Sequence, residues 1–185
     1  MSAMTDTLHL SPFEALLDYE RRSLAHVAGM PEQIEAPGLW RGIGFRVGQR
    51  FLVSSIGEVN EILTFPLLTL VPGTRPWLLG VANIRGNLVP VIDLKGFIEG
   101  ERSQLTDTTR VLLVRQQGGS TVGLLVDEVL GQRNFTDEQR TVANAEEGTR
   151  YARYVLDTYQ LGDVQWGMFS MVALARTPEF LQAAA

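Results

Sequence analysis

The sequence predicts a mainly β protein, built as small barrels or sandwiches of short strands, with one amphipathic helix before them and a short helix after. Three observations carry this prediction. The hydrophobic period changes from helical to alternating after Pro37-Gly38. From there on, short apolar runs recur at regular spacing between Gly- and Pro-rich turns, about five in each half of the chain. The 185 residues, 45% hydrophobic and 20% charged, suffice to bury roughly 70% of the unfolded surface without a disulfide or metal staple.

The first helix begins at Ser11-Pro12-Phe13-Glu14, where Ser11 caps, Pro12 takes the first helical position and Glu14 completes a capping box. Phe13, Leu16, Leu17, Leu24 and Val27 then share one face, and Gly29-Met30-Pro31 ends the run. That face must dock, either on the chain's own barrel or on a partner. Residues 31–38 read as a linker.

Ile43, Phe45 and Val47 alternate with small or polar residues, Gly48-Gln49 turns, and Phe51-Leu52-Val53 returns as a hairpin. Ser55 to Leu63 continues with Ile56, Val59 and Ile62 apolar, and Pro66, Pro72, Gly73 and Pro76 punctuate the loops that follow. Gly80 to Leu94 reads as strand, turn and strand, with Gly86-Asn87 as the turn. Near-continuous apolar character in both strands predicts burial on both faces.

The second half repeats the pattern. Val111 to Val114 is a strand, residues 117–120 turn, Val122 to Asp127 returns, and Val129 to Phe135 extends the sheet. Residues 136–150 are polar and acidic and read as a mobile loop. Tyr151 to Tyr159 and Val164 to Phe169 form a last hairpin around Leu161-Gly162-Asp163, and Thr177-Pro178-Glu179 caps a short C-terminal helix.

Composition narrows the function. There are no cysteines, so thiolate nucleophiles, disulfides and cysteine-held metals drop out. His9 and His26, the two histidines, have no second ligand at metal spacing, so no metal or other cofactor is expected. No Gly-rich phosphate loop opens a helix, and no Ser stands in a nucleophile elbow. Asp127 and Glu128 are neighbours on a strand, point to opposite faces and cannot act as one acid–base pair. Asp93 is expected to accept backbone N–H groups at the turn it enters. No catalytic residues are assigned. The net charge of -5 and scattered arginines argue against nucleic acid. No apolar run approaches the roughly 20 residues of a membrane span, and no leader is apparent, so a cytoplasmic location is expected.

Residues 51–94 strongly resemble the first half of CheW-like domains. The matching pieces are Val59-Asn60-Glu61-Ile62, Val71-Pro72-Gly73, Gly80-Val81-Ala82-Asn83-Ile84-Arg85-Gly86 and Val89-Pro90-Val91-Ile92-Asp93-Leu94, continued by Gly123 to Val129. The resemblance covers roughly residues 40–175 in order and spacing. The long first helix, Trp40 to Phe45, Pro76-Trp77 and Trp166 to Ser170 resemble the branch of the family that serves type IV pili and twitching motility (PilI-type).

The resemblance implies two five-stranded SH3-like barrels on a shared apolar core, the first at about 39–95 and the second at about 105–176, between an N-terminal helix and linker (1–38) and a C-terminal helix (177–185). It implies a non-catalytic adaptor, recruited to membrane-associated receptor arrays. Its partners would be the hairpin tip of a chemoreceptor and the regulatory domain of a CheA-type histidine kinase. It implies that Val59, Glu61, Arg85 and Gly86 bear on that coupling. The residues by themselves leave rivals open. Arg85 can be a plain exposed turn residue or pair with Glu61, and Val59 can be simple core. If the segment is extended, Val59 and Glu61 share a face. Trp77 can be a second contact or a buried Trp with its N–H paired. A regulatory subunit of another kinase system and a nucleic-acid-binding barrel are the alternative functions.

Overall fold

The computed structural model describes residues 13, 16–18, 39–116, 119–141 and 148–181. The chain falls into two units, Met1–Ala36 and Pro37–Ala185. In the first, Phe13 and residues 16–18 are helical, on the expected first helix. The remainder of that helix, its end at Pro31, the linker through residue 38 and both histidines lie outside the described residues.

The second unit holds the strands β1 (Leu39–Val47), β2 (Arg50–Ser55), β3 (Val59–Thr64), β4 (Leu78–Ile84), β5 (Asn87–Asp93), β6 (Arg110–Arg115), β7 (Thr121–Val126), β8 (Glu128–Thr136), β9 (Arg140–Thr141), β10 (Val155–Leu161) and β11 (Val164–Phe169). Among the described residues, three short α-helices join them: α1 (Leu94–Glu99), α2 (Met171–Ala175) and α3 (Pro178–Leu181). The expected turn at Gly48-Gln49 is present, as is the reversal at Gly162-Asp163.

α1 and α2 went unrecognised because each is too short to show a helical period. α1 is held by its ends. Asp93 Oδ1 accepts the Gly96 N–H at 3.0 Å, and Gly100 terminates it in the left-handed conformation. Part of the expected loop at 136–150 is regular structure. Thr136 and Gln139 form a reciprocal capping box over a 3-10 turn at Asp137–Gln139. β9 then pairs with β10. Residues 142–147 lie outside the described residues.

The strands form two sheets, in the orders β8-β1-β2-β11-β10-β9 and β3-β6-β7-β5-β4. This corrects the expected split into consecutive halves. β1 and β2 pair with β8 and β11, and β3 and β5 pair with β6 and β7. The rule that sequential strands are neighbours holds only in a majority of cases, and here the parallel pairs β2–β11 and β5–β7 break it.

Nor is either sheet a fully hydrogen-bonded ring. Both are nonetheless rolled, as chain length shows. Three residues, Asp137–Gln139, separate β8 from β9, and four Cα steps reach at most about 14 Å. The edges of a flat six-stranded sheet would stand about 24 Å apart. In the second sheet the chain leaving β3 returns to the outer edge of β4, where Thr69 and Val81 exchange backbone hydrogen bonds of 2.8 and 2.9 Å. Gly80 permits this approach. Its φ is +145°, and a Cβ there would stand 2.5 Å from the Thr69 carbonyl oxygen.

Three apolar clusters fill the unit. Phe45 and Leu52 of the first sheet meet Ile92, Leu112 and Leu124 of the second, with Ile98 of α1 and Phe180 of α3, in a shared core. Val53, Phe135, Tyr159 and Trp166 fill the first barrel. Val91, Val111, Leu113 and Leu125 fill the second. Successive β6 residues alternate between two clusters, so that strand is buried on both faces. β4 and β5 are buried likewise near the core, but their turn ends are exposed.

Candidate functional site

The site lies at the outer end of the second barrel, around β3 and the β4–β5 turn. Ile84 pairs with Asn87, so the turn is Arg85-Gly86 and not the expected Gly86-Asn87. Arg85 has φ 53° and Gly86 φ 85°, the double left-handed geometry of a type I′ hairpin, whose twist matches the strands. The Asn83 Oδ1 accepts the Gly86 N–H at 2.9 Å. Nothing lies within 4 Å of a Cβ at Gly86, so glycine serves the backbone angle there. Arg85 is the single non-glycine residue with positive φ among the described residues. A long side chain held in that conformation costs about 1 kcal/mol or more, and the turn displays it to solvent.

What it displays is a guanidinium. Arg85 is 76% exposed, and its Nη2 donates to Glu61 Oε1 at 2.6 Å. β3 and β4 end opposite edges of the strand order. The roll of the sheet is what brings Glu61 and Arg85 together. With one donor engaged, four of the five guanidinium N–H groups remain available to a carboxylate or to carbonyls on a docking segment. Exposure and solvent screening leave the pair little weight in stability.

Val59 does not join them. A bulge shifts the register so that Val59 opposes Val114 and Glu61 opposes Leu113. Adjacent β6 residues face opposite ways, so the expectation of a shared face fails. Val59 packs on the shared core, whereas Glu61 and Arg85 line a groove of about 530 Å³ with Asn60, Ile84, Leu88 and Leu113. Leu88 is 75% exposed beside the turn.

Sequence reasoning missed the apolar loop that follows β3. Leu67 and Leu70 are 97% and 75% exposed, with Phe65 and Val71 partly so, while Leu68 packs inward on the second-barrel cluster. A signal was present: a segment bounded by Pro66 and Pro72 carries Leu67, Leu68, Leu70 and Val71, where a solvated loop would be polar. Grouped exposed apolar side chains mark contact surfaces.

Asp93, Asp127 and Glu128 are structural. Asp93 is fully buried and accepts Gly96 N–H, Ser103 N–H and Ser103 Oγ–H. Asp127 Oδ2 accepts the Gly48 N–H at 2.6 Å, and Glu128 pairs with Arg46, so the two carboxylates serve the β1–β2 turn. Trp77 is half-buried, edge-on to Phe97 at 5.0 Å and parallel to Phe180 at 6.5 Å. Among the described residues, no helix is long and apolar enough to cross a membrane.

The sequence model of the CheW-like domain matches residues 41–181. The chain belongs to the CheW-like domain family. Protein PilI of Pseudomonas aeruginosa is 46% identical over 125 residues, 68% of this chain and 70% of that one. The chemotaxis protein CheW of Bacillus subtilis is 32% identical over 108 residues, 58% of this chain and 67% of its own. The scaffolding protein TtCheW from Thermoanaerobacter tengcongensis superposes with a TM-score of 0.65 at 20% identity, covering 75% of this chain and 94% of that one. Its likeness carries the CheW fold alone: two rolled sheets on a common core, as described above.

Proposed function

We propose that this CheW-like protein is a non-catalytic adaptor. It couples chemoreceptors to a CheA-type histidine kinase, in the cytoplasm, within a chemosensory pathway that serves type IV pili and twitching motility. The observation that carries the reading is Arg85, a mostly unspent guanidinium raised on a left-handed turn and braced by Glu61. Likeness to PilI supports the assignment to pili. The groove beside Glu61 and Arg85 offers charge to a receptor hairpin tip, with Leu88 as apolar neighbour. The exposed Leu67 and Leu70 offer apolar area to a second partner, the kinase regulatory domain, where buried anchors supply most of the energy.

The test is co-sedimentation of the purified chain with receptor hairpin fragments and the kinase regulatory domain. The expected result is a ternary complex that the wild type forms and Arg85→Ala weakens, with unfolding unchanged. Failure of the wild type to retain either partner overturns the proposal. Retention of both by Arg85→Ala at wild-type level removes Arg85 from it.

A further inference from the structure

A second cleft, of about 600 Å³, opens between α1, the 3-10 turn at Arg150–Arg153 and α3, and is lined by Arg75, Trp77, Phe97, Arg150, Arg153 and Glu179 among others. None of these residues belongs to the Glu61–Arg85 groove. The three arginines come from two distant segments, Arg75 from the loop before β4 and Arg150 with Arg153 from one 3-10 turn, and no ion pair or hydrogen bond joins any of their side chains to another described residue. Several guanidiniums elsewhere are engaged: Arg46 on Asp127 and Glu128, Arg85 on Glu61, Arg140 on Asp157, Arg110 on backbone carbonyls.

A protein of net charge -5 that gathers three unpaired cations and one carboxylate in one cleft creates a local positive field against its overall sign. Such a field draws anions. Forked guanidiniums match phosphate oxygens in particular. The cleft also has an aromatic side. Trp77 is half-buried, fixed by Phe97 and Phe180, and presents a rigid ring to a planar group. The volume falls in the range of small-molecule sites.

We propose that this cleft binds a phosphorylated small molecule with a planar ring, of the nucleoside diphosphate class. Arg75, Arg150 and Arg153 hold the phosphates, and Trp77 and Phe97 hold the ring. Glu179 opposes the charge and sets an upper limit on affinity. This site is separate from the adaptor surface and does not depend on that reading.

The test is calorimetric titration of the full chain at low salt with ADP, pyrophosphate and adenosine. Saturable ADP binding is expected, tighter than pyrophosphate, with no adenosine binding and a marked loss of affinity as salt rises. Arg150→Ala with Arg153→Ala should weaken ADP about tenfold or more, since charge-assisted hydrogen bonds are lost. Arg75→Ala, on a separate loop, should weaken it independently should the double variant fold poorly. Glu179→Gln should tighten it, and Arg85→Ala should leave it unchanged. No saturable ADP binding at millimolar concentration overturns the proposal. So does equal affinity for pyrophosphate, or wild-type affinity in the arginine variants, or binding to anionic phospholipid vesicles without binding to ADP.

Discussion

Val59 and Glu61 stand two residues apart in β3, yet they oppose adjacent residues of β6, Val114 and Leu113. One bulge divides their work. Val59 contributes to the shared core, and Glu61 is delivered to the groove.

That division is measurable as stability. Val59→Ala should destabilise by about 1–2 kcal/mol, a partly buried truncation at the mild end of the core range. Glu61→Ala should change stability by less than about 0.5 kcal/mol, as exposed ion pairs do. Denaturant unfolding of the two variants should separate them, and equal losses would contradict the split.

Arg85 sets stability against display. Arg85→Gly removes the left-handed strain of a long side chain at φ 53° and should leave stability unchanged or raise it by about 0.5–1 kcal/mol. The same variant should weaken partner retention in co-sedimentation. A clear fall in melting temperature would show that the Glu61 pair matters more to the fold than its exposure implies.

Leu67→Ser and Leu70→Ser should each keep stability within about 0.5 kcal/mol. Binding of the kinase regulatory domain should fall about tenfold or more if these are anchors. Unchanged kinase affinity, measured by calorimetry, would place that interface elsewhere.

Asp93→Ala should cost about 3 kcal/mol or more. It strands the Gly96 and Ser103 N–H groups and the Ser103 hydroxyl in a buried place. Thermal unfolding checks this, and a loss under about 1 kcal/mol would mean that water replaces the carboxylate.

Tyr159 titrates high because burial disfavours its phenolate, and Asp157 adds to the shift. The folded value lies above the unfolded value of about 10. Its contribution to stability is therefore complete below that pH and is lost as pH rises through the folded value. Phenolate absorbance compared with that of Tyr159→Phe should show Tyr159 ionising late, together with alkaline unfolding. Ionisation at the ordinary pH in the folded state would contradict the burial.

Much of this was legible along the chain. Alternating apolar residues mark β1, a continuous apolar run marks β6, Gly48 marks the β1–β2 turn, and Pro178 and Glu179 mark α3. The family motif pointed to Glu61 and Arg85 before their contact was visible. The apolar loop at 65–71 was overlooked because proline punctuation was read as mere connection. The turn slipped by one residue because Gly86-Asn87 fits hairpin preference better than Arg85-Gly86, whose arginine works against the local rule.

The sequence by itself determined most of the strand segments, where most of them turn, and that Asp93 accepts backbone N–H groups where its strand ends. These depend on side-chain period and on backbone freedom within a few residues. Only the tertiary structure decided that β2 lies beside β11, that each sheet rolls without closing into a hydrogen-bonded ring, and that a bulge sends Val59 and Glu61 to different faces. Those outcomes depend on packing between segments far apart in the chain, and no local pattern encodes the far partner of a strand edge.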